Sequence, residues 1–209
     1  RIDHFRGLSS YWCIPAGNRT ARCGKWVKGP GKKLVDAIKA AYPSIDFIAE
    51  DLGFLTPEVL ELVEHSGFPG MKVLEFAFDS REPSNYLPHN YTENCICYTG
   101  THDNETLLQW CAKLPAGADA YAREYLGIGI NDDLANALIR AGMQSKANLF
   151  VAQMQDYLRL GAEARMNEPG KLQPENWRWR MLPGAASDAL APQRRRMVFV
   201  GIFQYTQRN

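Results

Sequence analysis

Apolar residues recur with two different spacings along this chain, and the two spacings alternate. Residues 34–41 carry apolar side chains at helical intervals. The same helical spacing recurs in later segments of the chain. We predict helices near residues 34–41, 56–67, 105–114, 118–126, 132–141 and 192–205. The second of these begins with Thr56 as N-cap and Pro57 at the first helical position.

Short apolar runs between these helices predict buried strands. They lie at residues 1–5, 45–49, 71–78, 95–99 and 149–154. Between the first run and the first helix, a segment rich in Gly, Arg and aromatic residues is predicted to form a long loop ending at Gly31. The chain therefore alternates strands with helices, an order that favours a parallel sheet covered by helices.

Acidic side chains lie at or near the C-terminal end of each predicted strand. They are Asp3, Glu50, Asp79, Asp103 and Asp156. Both a TIM barrel and a doubly wound open sheet carry their sites at this end of the strands. No Gly-rich phosphate loop follows the first strand, because Gly29 precedes Pro30 where a P-loop has lysine. Acids converging from several strands therefore favour the barrel.

Composition and charge exclude several function classes. The net charge is +1 and 45% of the 209 residues are hydrophobic, so neither nucleic acid nor a membrane surface is indicated as a partner. No apolar stretch is long enough to cross a bilayer. Five cysteines without a CxxC pair favour structural thiols in a reducing compartment.

Three of the acids suggest chemistry at a glycosidic bond. One carboxyl must protonate the leaving oxygen, and a second must attack the anomeric carbon or activate water. Asp3, Glu50 and Asp103 are separated by about one βα unit or more, as convergence from different strands requires. Each also has a plainer interpretation. Asp3 is able to form a simple ion pair with Arg1, Glu50-Asp51 to serve the N-cap region of the next helix, and His102-Asp103 to form a turn.

Several segments together resemble a known family. They are Arg1–Gly7, Ala49–Gly53, Pro69–Leu74, Tyr98–Asn104, Gln155-Asp156, Glu163–Asn167 and Asn176–Arg180. They resemble amylomaltases, the disproportionating 4-α-glucanotransferases of glycoside hydrolase family 77. The resemblance implies the C-terminal portion of a (β/α)8 TIM barrel of the α-amylase clan, about strand four to strand eight. It implies that residues 1–209 belong to one catalytic domain whose earlier strands lie upstream, and that these residues alone are inactive.

The resemblance also implies roles for individual residues. Asp3 corresponds to the nucleophile, Glu50 to the general acid/base, and Asp103 to the carboxylate that supports the oxocarbenium-like transition state. Arg1 corresponds to the arginine beside the nucleophile, and His102 to a histidine that binds the sugar at the cleavage subsite. Asp79 and Asn167 are expected to line the glucan groove.

The implied activity is transfer of α-1,4-glucan segments to the 4-hydroxyl of an acceptor glucan or glucose, with malto-oligosaccharides as partners. The alternatives are an α-glucan hydrolase of the same clan and a catalytically incompetent glucan-binding fragment. No metal or organic cofactor is expected, since no metal-ligand spacing links His4 with His102. The expected location is the cytoplasm, or the plastid stroma in a plant or alga. Two interpretations remain open for five aromatic residues, which either stack on sugar rings or pack internally: Trp12, Trp26, Tyr98, Trp177 and Trp179. One form of internal packing places Trp177 and Trp179 on one strand face as a core pair.

Overall fold

A computed structural model of the protein describes residues 1–53, 55–78, 84–187 and 190. The chain divides into two compact units, one formed by residues 1–71 and the other beginning at Lys72. The described α-helices are α1 Lys32–Ala41, α2 Pro57–Ser66, α3 Leu107–Lys113, α4 Ala116–Leu126, α5 Leu134–Gln144 and α6 Met154–Tyr157. The strands are β1 Ser10–Cys13, β2 Lys25–Lys28, β3 Gly70–Val73, β4 Cys95–Tyr98 and β5 Leu149–Val151. Short 3₁₀ helices occupy Phe5–Leu8, Leu74–Phe76, Pro88–Asn90 and Ala162–Ala164.

The first unit is built around one parallel backbone pairing. Ile2 pairs with Ala49 in parallel, through hydrogen bonds from the Ile2 amide to the Ile48 carbonyl (2.9 Å) and from the Glu50 amide to the Ile2 carbonyl (3.0 Å). The Ala49 amide donates in turn to the Pro69 carbonyl at 3.0 Å. The predicted strand over residues 45–49 is therefore wrong in extent, because only its last residue pairs as a bridge.

Helices α1 and α2 cover this pairing with their apolar faces. Val35 of α1 and Leu62 of α2 are buried together with Phe5, Ala49 and Phe68. Thr56 is the N-cap of α2 and Gly67 ends the helix with a φ of 69°, as the predicted boundaries require. The unit therefore has its own small core directly beneath the chain segments that carry Asp3 and Glu50.

A β-hairpin occupies the segment predicted to be a loop. Strands β1 and β2 pair antiparallel, with Trp12 opposite Trp26 and their rings 5.5 Å apart at 67°. Most hairpin side chains are exposed or half-buried on both faces. The segment therefore lacks the alternation of apolar and polar residues that marks a strand in a sequence. The prediction of a loop through Gly31 is wrong for this reason.

A three-stranded sheet has the order β3–β4–β5. Strands β4 and β5 run parallel, with Ile96 opposite Leu149 and Tyr98 opposite Val151. The predicted strands over 71–78 and 149–154 are too long. After Val73 the chain enters a 3₁₀ helix, and after Val151 it leads into α6.

The second unit has its main core between the helices. Leu107 of α3, Ala122 of α4, and Leu138 and Ile139 of α5 are buried together with Phe78. The buried Asp156 of α6 fixes the start of α3, since its carboxylate accepts hydrogen bonds from the Leu107 amide (2.7 Å) and the Thr99 hydroxyl (2.5 Å). The connection between β4 and α3, which carries His102 and Asp103, is therefore held at both ends. The predicted last helix, residues 192–205, lies outside the described residues.

Candidate active site

Asp3 lies just beyond the parallel bridge of the first unit. Its Oδ1 forms an ion pair with Arg1 Nη2 at 3.0 Å, and the Asp3 side chain is 76% exposed. The other terminal nitrogen of the Arg1 guanidinium, Nη1, donates to the Met71 sulfur at 3.8 Å. The contact between Arg1 and Asp3 that the sequence indicated is therefore present, and it leaves the Asp3 carboxylate open to solvent.

Glu50 directly follows Ala49, the residue that pairs with Ile2, and it is hydrogen-bonded to the segment that carries Asp3. Its Oε2 accepts a hydrogen bond from the His4 amide at 2.6 Å, and its Oε1 accepts from the Leu52 amide at 3.2 Å. The Phe5 amide donates to the Glu50 carbonyl at 2.9 Å. Asp3 and Glu50 therefore project from adjacent chain segments that are joined by main-chain hydrogen bonds.

His4, which directly follows Asp3, has a left-handed backbone conformation with φ 46° and ψ 52°. Few residues other than glycine adopt this region, and such residues cluster at functional sites. Here the conformation belongs to the residue whose amide binds Glu50. Backbone strain at this point thus accompanies the joining of the two carboxylate-bearing segments.

Asp51, the residue after Glu50, packs against the first two residues of β3. Its Oδ1 accepts a hydrogen bond from the Met71 amide at 2.7 Å, and its carboxylate packs so closely on Gly70 that a β-carbon there would lie 2.5 Å from Oδ2. The N-cap of α2 is Thr56. The alternative that Glu50-Asp51 serves as the acidic N-cap region of that helix is therefore wrong.

Asp103 lies in the second unit, where side chains from distant parts of the sequence surround it. Its Oδ1 accepts a hydrogen bond from Asn167 Nδ2 at 2.6 Å and lies 3.4 Å from His102 Nε2. The side chains of His102 and Asp103 remain partly exposed. The structure therefore brings together His102, Asp103 and Asn167, three of the residues that the resemblance implied.

Arg165 supports this group, and sequence reasoning did not single it out. Its Nη2 donates to the Asp103 carbonyl at 2.8 Å, its Nε donates to the Asn167 carbonyl at 2.8 Å, and its Nη1 lies 3.5 Å from Glu105 Oε1. The guanidinium thus fixes the backbone at both residues of the Asp103–Asn167 hydrogen bond. Arg165 lies inside the segment Glu163–Asn167 that carried the resemblance, but its function depends on a contact 62 residues away.

Trp177 lies beside His102 with its ring 5.0 Å from the imidazole, at an interplanar angle of 38°. It is 54% exposed, has a φ of 67°, and lies in a turn. The interpretation of Trp177 and Trp179 as a core pair on one strand face is therefore wrong. An exposed aromatic ring beside a polar group is suited to stacking on an apolar ligand face.

Two expectations concern residues or ligands outside these groups. Asp79, predicted to bind substrate, lies outside the described residues. Within the described ranges, no group of three or more His, Cys, Asp or Glu side chains is arranged to hold a metal ion. In the same part of the chain, every helix is too short or too polar to span a lipid bilayer.

The Asn167–Asp103 hydrogen bond gives a direct test of this group. For the glucan transfer that the sequence resemblance implies, Asn167→Ala in the full-length protein is expected to lower kcat/KM by about 10- to 100-fold, because a hydrogen bond to a charged group contributes roughly 1.5–3 kcal/mol. Steady-state kinetics on maltotriose measure the loss. Asn148→Ala, on the exposed segment before β5, serves as the matched control and should retain wild-type activity. Equal activity of the two variants would contradict a contribution from Asn167.

The model of the family described as 4-alpha-glucanotransferase, glycoside hydrolase 77, matches residues 1–185. A 4-alpha-glucanotransferase from Clostridium butyricum is 45% identical over 192 residues, which are 91% of this chain and 39% of the relative. One from Thermus thermophilus is 47% identical over 194 residues, again 39% of its length. The chain thus spans about 39% of the length of these two curated relatives.

A solved structure gives the same result. An amylomaltase from Streptococcus agalactiae, in complex with acarbose, superposes with a TM-score of 0.89 and 36% sequence identity. The match covers 95% of this chain and 40% of that one. The predicted fold class, an α/β chain forming part of a (β/α)8 barrel, is confirmed. With a family model matching residues 1–185 of its 209, this chain belongs to the 4-alpha-glucanotransferase family, glycoside hydrolase 77.

Proposed function

We propose that the protein containing this chain is a 4-alpha-glucanotransferase. It moves α-1,4-glucan segments from a donor to the 4-hydroxyl of an acceptor glucan or glucose. Residues 1–209 form the C-terminal part of its single catalytic barrel domain. The observation that carries the proposal is the placement of Asp3 and Glu50 on adjacent, hydrogen-bonded segments in a chain of this family.

The first step of the proposed reaction uses Asp3 and Glu50. Asp3 attacks the anomeric carbon while Glu50 protonates the leaving glycosidic oxygen, so that a glucosyl ester forms on Asp3 and the reducing-end fragment departs. Support comes from the exposure of the Asp3 carboxylate and from its ion pair with Arg1, which orients the attacking oxygen. In this retaining reaction the two carboxyl groups are expected to lie about 5–5.5 Å apart.

The second step returns the sugar to an acceptor. Glu50, now a base, removes the proton of the acceptor 4-hydroxyl, and the resulting attack on the ester restores the original anomeric configuration. Asp103 supports the oxocarbenium-like transition state in both steps. Its hydrogen bond from Asn167 and the nearby His102 favour one fixed carboxylate orientation. Preorganised charge of this kind stabilises a transition state without further reorganisation.

The proposed substrates are malto-oligosaccharides and other α-1,4-glucans. The complex of the S. agalactiae amylomaltase with acarbose supports this ligand class. Trp177 beside His102 would offer an aromatic surface for a sugar ring, and His102, Asp79 and Asn167 are proposed substrate contacts. The mechanism requires no cofactor. The proposed location is the cytoplasm, or the plastid stroma in a plant or alga.

Incubation of the full-length protein with maltotriose tests the proposal. A transferase converts two maltotriose molecules into glucose and maltopentaose, or into maltose and maltotetraose, without changing the number of reducing ends. A hydrolase of the same clan raises the number of reducing ends, since water replaces the sugar hydroxyl. Chromatography of the products with a reducing-end assay separates these outcomes. Rising reducing ends, or unchanged maltotriose, would contradict the proposal.

A further inference from the structure

Glu75 is a buried acid that the proposed reaction does not use. It lies in the 3₁₀ helix Leu74–Phe76, directly after β3, and is 8% exposed. Its Oε1 has no hydrogen-bond partner among the described residues. A β-carbon at Gly100 would lie 2.8 Å from this oxygen, so the Glu75 carboxyl packs directly against the glycine. A buried acid in such a position needs a physical explanation.

The other contact of Glu75 is with the turn that carries the candidate site residues. A β-carbon at Gly100 would also lie 3.1 Å from Asn104 Cβ, so the Glu75 carboxyl and the Asn104 side chain meet at the same glycine. The Asn104 side chain lowers the pKa of Glu75, against the larger effect of burial. Asn104 Oδ1 in turn accepts hydrogen bonds from the Thr101 amide at 2.9 Å and from the Thr101 hydroxyl at 2.8 Å. Asn104 therefore closes the turn that contains His102 and Asp103, and Glu75 supports Asn104 from inside the protein.

We propose that Glu75 is a positioning residue that orients Asn104 and thereby fixes the turn carrying His102 and Asp103. The proposal rests on the assignment of Asp103 to the glucan transfer reaction. Glu75 acts on the reaction only through Asn104, since its carboxyl is enclosed by the protein. Its effect is accordingly on the geometry of Asp103, where a displacement of about 1 Å can cost on the order of 10²-fold in rate.

The surroundings of Glu75 favour its neutral form. Burial and the nearby carboxylates of Asp156 and Glu105 raise the pKa of Glu75 to about 9, and the opposing effect of Arg165 is smaller. Burial also raises the pKa of Asp156, but Asp156 accepts hydrogen bonds from Thr99 and Leu107 that stabilise its charged form. Glu75 is therefore the member of this pair that retains its proton at neutral pH. Burial raises the pKa of the Cys111 thiol on α3 to about 12, and the charge of Glu75 adds to this effect.

Ionisation of Glu75 is expected to disturb the turn. Above about pH 9 a second negative charge would lie beside Asp156 in a buried site, where like charges repel strongly. Glutamine has the shape of the neutral acid, keeps an oxygen that can accept a hydrogen bond from the Asn104 amide, and does not titrate. Glu75→Gln should therefore keep the function of Glu75 at neutral pH and lose its sensitivity to alkali.

The experiment compares Glu75→Gln and Glu75→Leu with wild type in the full-length protein. At pH 7 we expect Glu75→Gln to retain kcat on maltotriose within about 3-fold, and Glu75→Leu to lose about 10- to 100-fold in kcat. Between pH 8 and pH 10, wild type should lose activity that Glu75→Gln retains. Glu124→Gln, an exposed glutamate on α4, is the matched control and should follow the wild-type profile.

Thermal unfolding gives a second measurement that does not depend on activity. Because the folded state holds a proton that the unfolded state releases above about pH 4.5, the contribution of Glu75 to stability falls as the pH rises towards 9. The melting temperature of wild type should therefore decline relative to Glu75→Gln over this range. Parallel melting curves, an unchanged alkaline activity profile in Glu75→Gln, or equal losses in the Gln and Leu variants at pH 7 would each overturn the inference. Absence of transfer by wild type would instead refute the proposed function, while the melting curves would still test Glu75.

Discussion

Asp3→Ala is expected to abolish glucan transfer in the full-length protein, with kcat falling on the order of 10⁶-fold, the scale seen when a protease loses its nucleophile. Alanine removes the oxygen that would form the glucosyl ester, and Glu50 does not replace it, because Glu50 is held by the amides of His4 and Leu52. The ion pair with Arg1 is lost as well, but this side chain is exposed, so the fold should survive.

Two measurements check this expectation. Steady-state transfer from maltotriose gives the loss in rate, and mass spectrometry of acid-quenched enzyme shows whether a glucosyl adduct forms on the peptide containing Asp3. Asp46→Asn changes an exposed aspartate of the same unit and is the matched control, expected to keep both the rate and the adduct. A loss smaller than about 100-fold in Asp3→Ala, or an adduct on another residue, would show that Asp3 is not the nucleophile.

Glu50→Gln is expected to lower transfer from maltotriose by about 10²–10⁴-fold, the usual contribution of general acid–base catalysis. Glutamine preserves the size of the side chain, and its carbonyl oxygen can still accept one of the two amide hydrogen bonds that Glu50 accepts. What it loses is the ability to protonate the leaving oxygen and then to deprotonate the acceptor. The loss should therefore appear in kcat more than in folding.

The leaving group separates this role from a purely structural one. α-Glucosyl fluoride releases fluoride without needing a strong proton donor, so Glu50→Gln should form the glucosyl ester from it with a much smaller loss. Fluoride release in the first turnover is the measurement, with Glu64→Gln on the exposed face of α2 as the matched control. If both donors lose the same factor, Glu50 does not donate the proton.

Those features of the fold that depend on local chemistry are the ones the sequence predicts well. Helix α2 begins at Pro57 and ends before Gly67, because an N-cap threonine, a proline and a glycine each favour one backbone conformation. The order of strands and helices follows in the same way from the period of the apolar residues. Asp3, Glu50 and Asp103 stay predicted site residues, and the sequence singles them out because each lies at the end of a strand-like run inside a segment that resembles the family.

Features that depend on long-range contacts were not predictable. The hairpin β1–β2 has few buried side chains, so its strands carry no periodic signal. The contact of Arg165 with Asp103 crosses 62 residues of sequence, and the contact of Glu75 with Asn104 connects two different strand ends. Glu75 itself lies within an apolar run, where a single acid gives no indication of its partner. Only the folded chain reveals these contacts.

The left-handed conformation of His4 determines which substitutions this position can tolerate. The hydrogen bond to Glu50 comes from the main chain, so almost any residue keeps the donor and only proline removes it. The positive φ is the stricter condition, since branched residues such as valine and isoleucine clash in this region while glycine and asparagine enter it readily. Position 4 is thus permissive towards side-chain chemistry and selective for side-chain shape. In a collection of functional variants it should be filled by residues that share a backbone preference and not a charge.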